Sequence, residues 1–364
     1  MGVIDTIRDG SGNTKQYTIG YHYINQINNK NFYDGSQDIG AAYLMAVYNL
    51  TDKIKVVGGL RGERTKLYVE SRDTSLAPSE LDITDLLYSA NVIYALNDKS
   101  NLRFAASKTL ARPNLRELAP FEQFDTKNGF FNIGNPNLKR TLIYNYDIRY
   151  EIYPELGELL AVSVFYKNFT DPILRTFSPT ATIPELGYLN IDNANVLGAE
   201  LELRKNLGFI NAGLRNFNFT TNIAFIHSGY KIPDTELKSS QTVDPEYNQE
   251  TRPFQGQAPY IVNAILSYAN QDLGLESTVS FNVSGRRLYN ISLSAVPDVY
   301  EMPFPILTYT LSKKIGKHIQ VGFAAKNLLN PLNQKVQVNK GVEYIAEQFR
   351  IGRTFGFSIA YIIK

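Results

Sequence analysis

The sequence predicts an all-β fold, an antiparallel transmembrane β-barrel, and two observations carry that prediction. Apolar and polar residues alternate with period two in segment after segment, the mark of strands that carry one apolar and one polar face. The connections between those segments alternate short and long along the chain. Short turns on one side of a membrane and longer loops on the other give that arrangement.

The segments follow in order. Near Gln16 to Ile27, Tyr17, Ile19, Tyr21 and Tyr23 share one face. Ile39 to Tyr48 is the longest clean apolar run, ten residues. A membrane-spanning helix needs roughly 18 apolar residues, whereas a spanning strand needs only about 9–11. Leu142, Tyr144, Tyr146, Ile148, Tyr150 and Ile152 alternate with Asn145, Asp147, Arg149 and Glu151. Leu197, Ala199, Leu201 and Leu203 alternate with Glu200, Glu202 and Arg204, and Leu275, Val279, Phe281 and Val283 with Thr278, Ser280 and Asn282. Ile319, Val321, Phe323 and Ala325 repeat the pattern, and Phe355, Phe357, Ile359, Tyr361 and Ile363 close it.

Short connections fall near 50–53, 96–100, 154–158, 207–214, 270–273 and 313–317; long ones fall near 70–83, 111–140, 173–193, 230–257, 288–302 and 328–348. Connections that long are uncommon in compact soluble domains, and six of them in alternation are hard to explain there. A soluble β-sandwich shares the residue alternation, with its apolar faces turned toward each other, but leaves the loop order unexplained. About thirteen strands fit between Asp38 and Lys364, and the segment near Gln16 to Ile27 brings the total to roughly fourteen. No linker or composition shift divides residues 1–364, so one domain is expected.

Composition bounds the function. With 37 basic and 35 acidic residues, the formal net charge of +2 makes no electrostatic case for a nucleic-acid partner. The absence of cysteine excludes disulfides, thiolate metal sites and cysteine nucleophiles. The 24 tyrosines and 20 phenylalanines suit interfacial girdles, although there is no tryptophan. Met1 to Thr6 lack the apolar core of a signal peptide, so the true start is expected upstream.

The segment Ser107-Lys108-Thr109-Leu110-Ala111-Arg112-Pro113-Asn114-Leu115-Arg116-Glu117-Leu118, followed by Gly134-Asn135-Pro136-Asn137-Leu138-Lys139, resembles the barrel signature of TonB-dependent receptors. Three further stretches fit the same family: Gly58 to Arg64, Lys326-Asn327-Leu328-Leu329-Asn330, and Gly352 to Phe357. The resemblance implies a bacterial outer-membrane receptor, embedded in lipid, that takes up a scarce nutrient of the iron-chelate, cobalamin or oligosaccharide class. It also implies a TonB complex as partner, reached through an N-terminal plug and TonB box that do not appear here. Barrels of this family have 22 strands, so the chain reads as a partial barrel domain lacking the plug and first strands. A passive, porin-like channel complete in this chain is the alternative.

The resemblance places Arg112, Arg116, Glu117 and Asn135 at the rim of the lumen, toward plug and ligand. One reading makes the first three contacts to the plug or to an anionic or polar ligand; the other makes them a loop-packing ion pair. Asn135 and Pro136 are expected to shape a turn. Tyr230 and Tyr247 in one long loop, and Phe177 and Tyr188 in another, are candidate ligand contacts at the outer face. His22, His227 and His318 are scattered and lack metal-ligand spacing. Glu200 and Glu202 read as part of a charged lumen wall rather than as a catalytic pair. No nucleophilic triad is present, and neither an enzyme nor a cofactor is expected.

Overall fold

The computed structural model describes residues 3–8, 14–19, 32–126, 129–178, 184–243, 245–293 and 296–363. A hairpin of β1 (Val3–Arg8) and β2 (Thr14–Ile19) comes first. Four long strands follow: β3 (Tyr33–Asn49), β4 (Ile54–Ser71), β5 (Ser79–Asn97) and β6 (Ser100–Ala111). The next loop carries α1 (Leu115–Leu118), β7 (Glu122–Asp125) and β8 (Phe130–Ile133). The chain returns through β9 (Thr141–Ile152) and β10 (Leu159–Thr170) to a loop hairpin, β11 (Ile173–Ser178) and β12 (Glu185–Asn190). After β13 (Asn193–Asn206) and β14 (Phe217–Lys231) come α2 (Asp234–Val243) and β15 (Thr251–Arg252). Then β16 (Tyr260–Asn270) and β17 (Leu275–Ser284) lead to β18 (Arg287–Ser292) and β19 (Val299–Glu301). Finally β20 (Ile306–Ile315) and β21 (Ile319–Lys326) lead through β22 (Asn333–Asn339) and β23 (Val342–Phe349) to β24 (Thr354–Tyr361).

The long strands form one antiparallel barrel wall in the order β3-β4-β5-β6-β9-β10-β13-β14-β16-β17-β20-β21-β24, with β15 on β14 as its fourteenth member. Cross-strand partners share a face, so the pairs Val164↔Ile148 and Val162↔Leu201 continue an apolar stripe around the wall. That stripe stays exposed: Leu44 is 77%, Phe357 83% and Ile359 82% accessible. A sandwich would bury these residues against a second sheet, and the soluble reading falls on that point. Facing lipid, the same stripe is what stabilises a barrel wall. Positive-φ glycines close two of the short turns, Gly274 (φ 58) and Gly316 (φ 62), where a side chain would be strained.

Two sequence expectations shift. The loop expected over 70–83 shrinks to residues 72–78 because β4 and β5 run well past the apolar band. Of the strand expected near Gln16 to Ile27, Gln16 to Ile19 pair with β1 rather than with the wall, and the rest lies outside the described residues.

The long loops are not loose. They build a second sheet in the order β23-β22-β19-β18-β11-β12-β8-β7, in which β11–β18 and β12–β8 pair in parallel. One apolar cluster joins Leu67, Val69 and Leu81 of the extended β4–β5 hairpin to Leu118, Ala119, Phe121 and Leu138 of the loop after β6. A second joins Leu174, Ile191, Ala194, Tyr230, Leu288 and Ile291, from three other loop regions. The buried core of this protein therefore lies above the wall, under the loops.

Candidate functional site

The polar face of the wall is charged and paired. Toward the short turns, Arg103 donates to Glu151, Arg149 bridges Glu151 and Glu202, and Arg204 donates to Glu202. Glu202 thus belongs to an ion network of the lumen wall drawn from three strands, β6, β9 and β13. Toward the loops, Arg140 pairs with Asp85 at 2.7 Å. Beside it, Glu63 is held between Arg61 and Arg112, and the Arg112 Nε donates to Thr65 Oγ1 at 2.9 Å.

The four residues marked in the sequence separate into different roles. Arg112 leaves the end of β6 on the lumenal face and pairs across to β4. Glu117 completes a capping box on α1: its carboxylate accepts from the Asn114 backbone N–H while the Asn114 side chain accepts from that of Glu117. Arg116 turns away, donating to the carbonyl of Asn132 at 2.7 Å, with its guanidinium 4.4 Å from the Phe121 ring centroid. Asn135 ties two loops together, donating to the Tyr188 carbonyl and accepting from the Asn137 N–H. Gly134 precedes it because a Cβ there would lie 2.1 Å from the Ala119 carbonyl oxygen. Arg112 and Glu117 line a common cavity of about 440 Å³ with Arg175, Tyr188 and Gln255; Arg116 and Asn135 do not.

Arg175 also lines a second cavity, of about 640 Å³, on one face of the loop sheet. There two cations lie against the Tyr289 ring. The Arg175 guanidinium is 4.7 Å from the ring centroid and the Lys335 ammonium 4.1 Å. Burial pushes the Tyr289 phenol up, but hydrogen bonding and charge from Arg175, then from Lys335, outweigh it and hold the phenol below the usual tyrosine range. Phe130 and Phe177 meet edge to face on the same cavity, ring centroids 6.4 Å apart.

A third feature fastens the loops. Arg252, 4% exposed, donates to Glu236 on α2 at 2.5 Å and to Asp298 at 2.6 Å. Asp298 also accepts the Ser292 backbone N–H at 2.9 Å. Burial pushes the Arg252 guanidinium down, but Asp298, Tyr230 and Glu236 more than reverse this and hold it charged. A cavity of about 640 Å³ opens beside this cluster, with Tyr247, Arg286 and Tyr300 on its walls. The loop aromatics marked in the sequence thus fall in different places: Phe177 and Tyr188 line the two cavities that share Arg175, Tyr247 lines the third, and Tyr230 is core.

Sequence reading missed Arg175, Tyr289, Lys335, Arg252 and Asp298. They come from loops up to 160 residues apart, as Arg175 and Lys335 show, and no local spacing signals such a meeting. His318 donates from Nδ1 to the Ile362 carbonyl, 3.0 Å away, and stacks on Tyr361; His22 lies outside the described residues. Among the described residues no three His, Asp or Glu side chains gather as a metal site.

Comparison with known proteins bears on this architecture. Residues 4–328 match the model of the family described as TonB dependent receptor-like, beta-barrel. No curated protein matches. Among solved structures, the FrpB iron transporter from Neisseria meningitidis is similar at 16% identity and TM-score 0.59, over 90% of this chain and 44% of that one. The ferric yersiniabactin uptake receptor FyuA from Yersinia pestis is similar at 16% identity and TM-score 0.60, over 91% and 46%. The copper transporter OprC is similar at 13% identity and TM-score 0.65, over 90% and 48%. At these identities the likeness is one of fold, and the chain spans about half the length of each.

Proposed function

The chain belongs to the TonB dependent receptor-like β-barrel family, and from that membership we propose that it is the barrel portion of an outer-membrane receptor for active uptake of a scarce small-molecule nutrient. The family match over residues 4–328 is the observation that carries this reading. Geometry supports it. The loops are folded into a sheet over the wall, and a cavity lined by Arg112, Glu117 and Arg175 opens beside them. Such a receptor binds its nutrient from outside, and energy relayed through TonB releases it inward. In this reading Arg112 and Glu117 sit on the path between ligand and plug, whereas Arg116 and Asn135 hold the loop that presents them. Iron chelates, cobalamin and oligosaccharides are the nutrient classes to test.

Uptake of labelled members of those three classes should be compared in cells with the gene intact, with the gene disrupted, and with TonB disrupted. The reading expects one nutrient whose accumulation falls in both disrupted strains. If accumulation of every class survived loss of the gene, the receptor assignment would be wrong. Uptake that needed the gene but not TonB would make the protein a passive channel.

A further inference from the structure

The cavity around Tyr289 has the chemistry of a selective site. Its two cations, Arg175 and Lys335, flank one phenol, and only Lys335 has an acidic partner, Glu347. The Arg175 Nε is satisfied by the Asn290 side chain at 3.0 Å, a neutral acceptor, and no carboxylate among the described residues pairs with Arg175. Charge among the described lining residues is therefore two positive against one negative. That excess of positive charge holds the Tyr289 phenol below the usual tyrosine range. Next to the cations, Phe130 and Phe177 present aromatic surface suited to offset or edge-to-face packing. The cavity of about 640 Å³ accommodates a small organic molecule.

We propose that this cavity selects an anionic, ring-bearing ligand, its charged oxygen held by Arg175 and Lys335 beside Tyr289 and its ring against Phe130 and Phe177. The inference rests on the receptor reading above and narrows its substrate class, disfavouring neutral saccharides at this site. Arg175 borders both this cavity and the one at Arg112, so a ligand held here lies beside the route toward the lumen. Tyr289 acts as the gauge of occupancy. An anion bound to the two cations screens them, so the phenol should ionise at higher pH when the site is filled.

Benzoate and benzamide differ in charge but little in shape, and they provide the test on the full chain in detergent micelles. Calorimetric titration should show saturable binding of benzoate, at least roughly tenfold weaker binding of benzamide, and a similar loss for benzoate in Arg175→Gln and in Lys335→Gln. Lys335→Arg should restore most of the affinity, and heat-modifiable gel migration checks that each variant is folded. Absorbance at 295 nm should reveal an early-titrating tyrosine that is missing in Tyr289→Phe and moves to higher pH with benzoate. Equal affinity for benzamide, no saturable binding by the native chain, or folded Gln variants that bind as well as native would each overturn the proposal. Those results would leave TonB-dependent uptake untouched as a separate question. Conversely, benzoate binding that persists while no nutrient shows gene-dependent uptake would sink the receptor reading and keep the site.

Discussion

At the scale of single residues, the deepest electrostatic commitment is Arg252. Its guanidinium spans Glu236 and Asp298 with little access to solvent, so its removal strands two carboxylates that were placed for a cation. Breaking such a buried pair from one side costs roughly 3–5 kcal/mol. Arg252→Gln is expected to lower the melting temperature of the loop layer and to open the segment around α2 to trypsin, read by gel after limited digestion. Protection equal to the native protein would show that the loops are held by the apolar cluster of Leu174, Tyr230 and Leu288 alone. A charge on the wall surface differs: Arg72 and Asp34, both more than half exposed, should be dispensable within the usual range for surface pairs, about 0–1 kcal/mol.

At the scale of elements, β4 and β5 show how one strand can serve two solvents. On β4, Leu60 faces outward and Arg61, Glu63 and Thr65 face the lumen. Beyond that point the polarity inverts without a break in the strand: Arg64, Lys66 and Glu70 face outward, and Leu67 and Val69 are buried. On β5, Leu86 faces outward and Asp85 inward, until Asp82 and Glu80 face outward and Leu81 is buried. The inversion marks where the outer surface leaves hydrocarbon for water and the inner surface leaves the lumen for the loop core. A sequence reading that holds the phase fixed stops the strand here, which is why a loop was expected over 70–83. Leu67→Ala should cost roughly 2–5 kcal/mol, because Leu67 is 1% exposed against Leu118 and Phe121. Leu60→Ala, at a site 54% exposed, should cost far less; thermal unfolding of the two variants side by side decides. Gly134→Ala should loosen the loop over residues 112–140, since its new methyl would collide with the Ala119 backbone. Faster proteolysis within that loop is the expected readout, and a native digestion pattern would refute the collision.

At the scale of the whole molecule, the exposed stripe of Leu, Val, Phe and Ile is the surface that meets lipid. Because the chain contains no cysteine, single substitutions report without background. Val164→Cys, Phe225→Cys and Ile359→Cys should stay unreactive toward a water-soluble maleimide, because a thiol in hydrocarbon does not ionise to the thiolate that attacks the reagent. Ser163→Cys and Asn222→Cys, one residue out of phase on the same wall, should react with a water-soluble reagent instead. Uniform reactivity toward the aqueous reagent would return the protein to the soluble class.

The sequence by itself determined the wall. Period-two alternation is a local property, written residue by residue, and the order of short and long connections followed directly from it. Thirteen wall strands were legible for that reason, as was the charged lumen containing Glu202. Only the tertiary structure decided what the loops do. Their sheet is assembled from segments that meet across 100 residues or more, as Arg175 and Asn290 do, with parallel pairings that no turn signal announces. The contacts of the marked residues were decided there too: Arg112 and Arg116 are alike in sequence, yet one meets Glu63 at the lumen and the other donates to a loop carbonyl. The physical reason is range. Alternation encodes which face of a strand meets which solvent, whereas the convergence of Arg175, Tyr289 and Lys335 depends on how separate loops pack once the wall has brought their ends together.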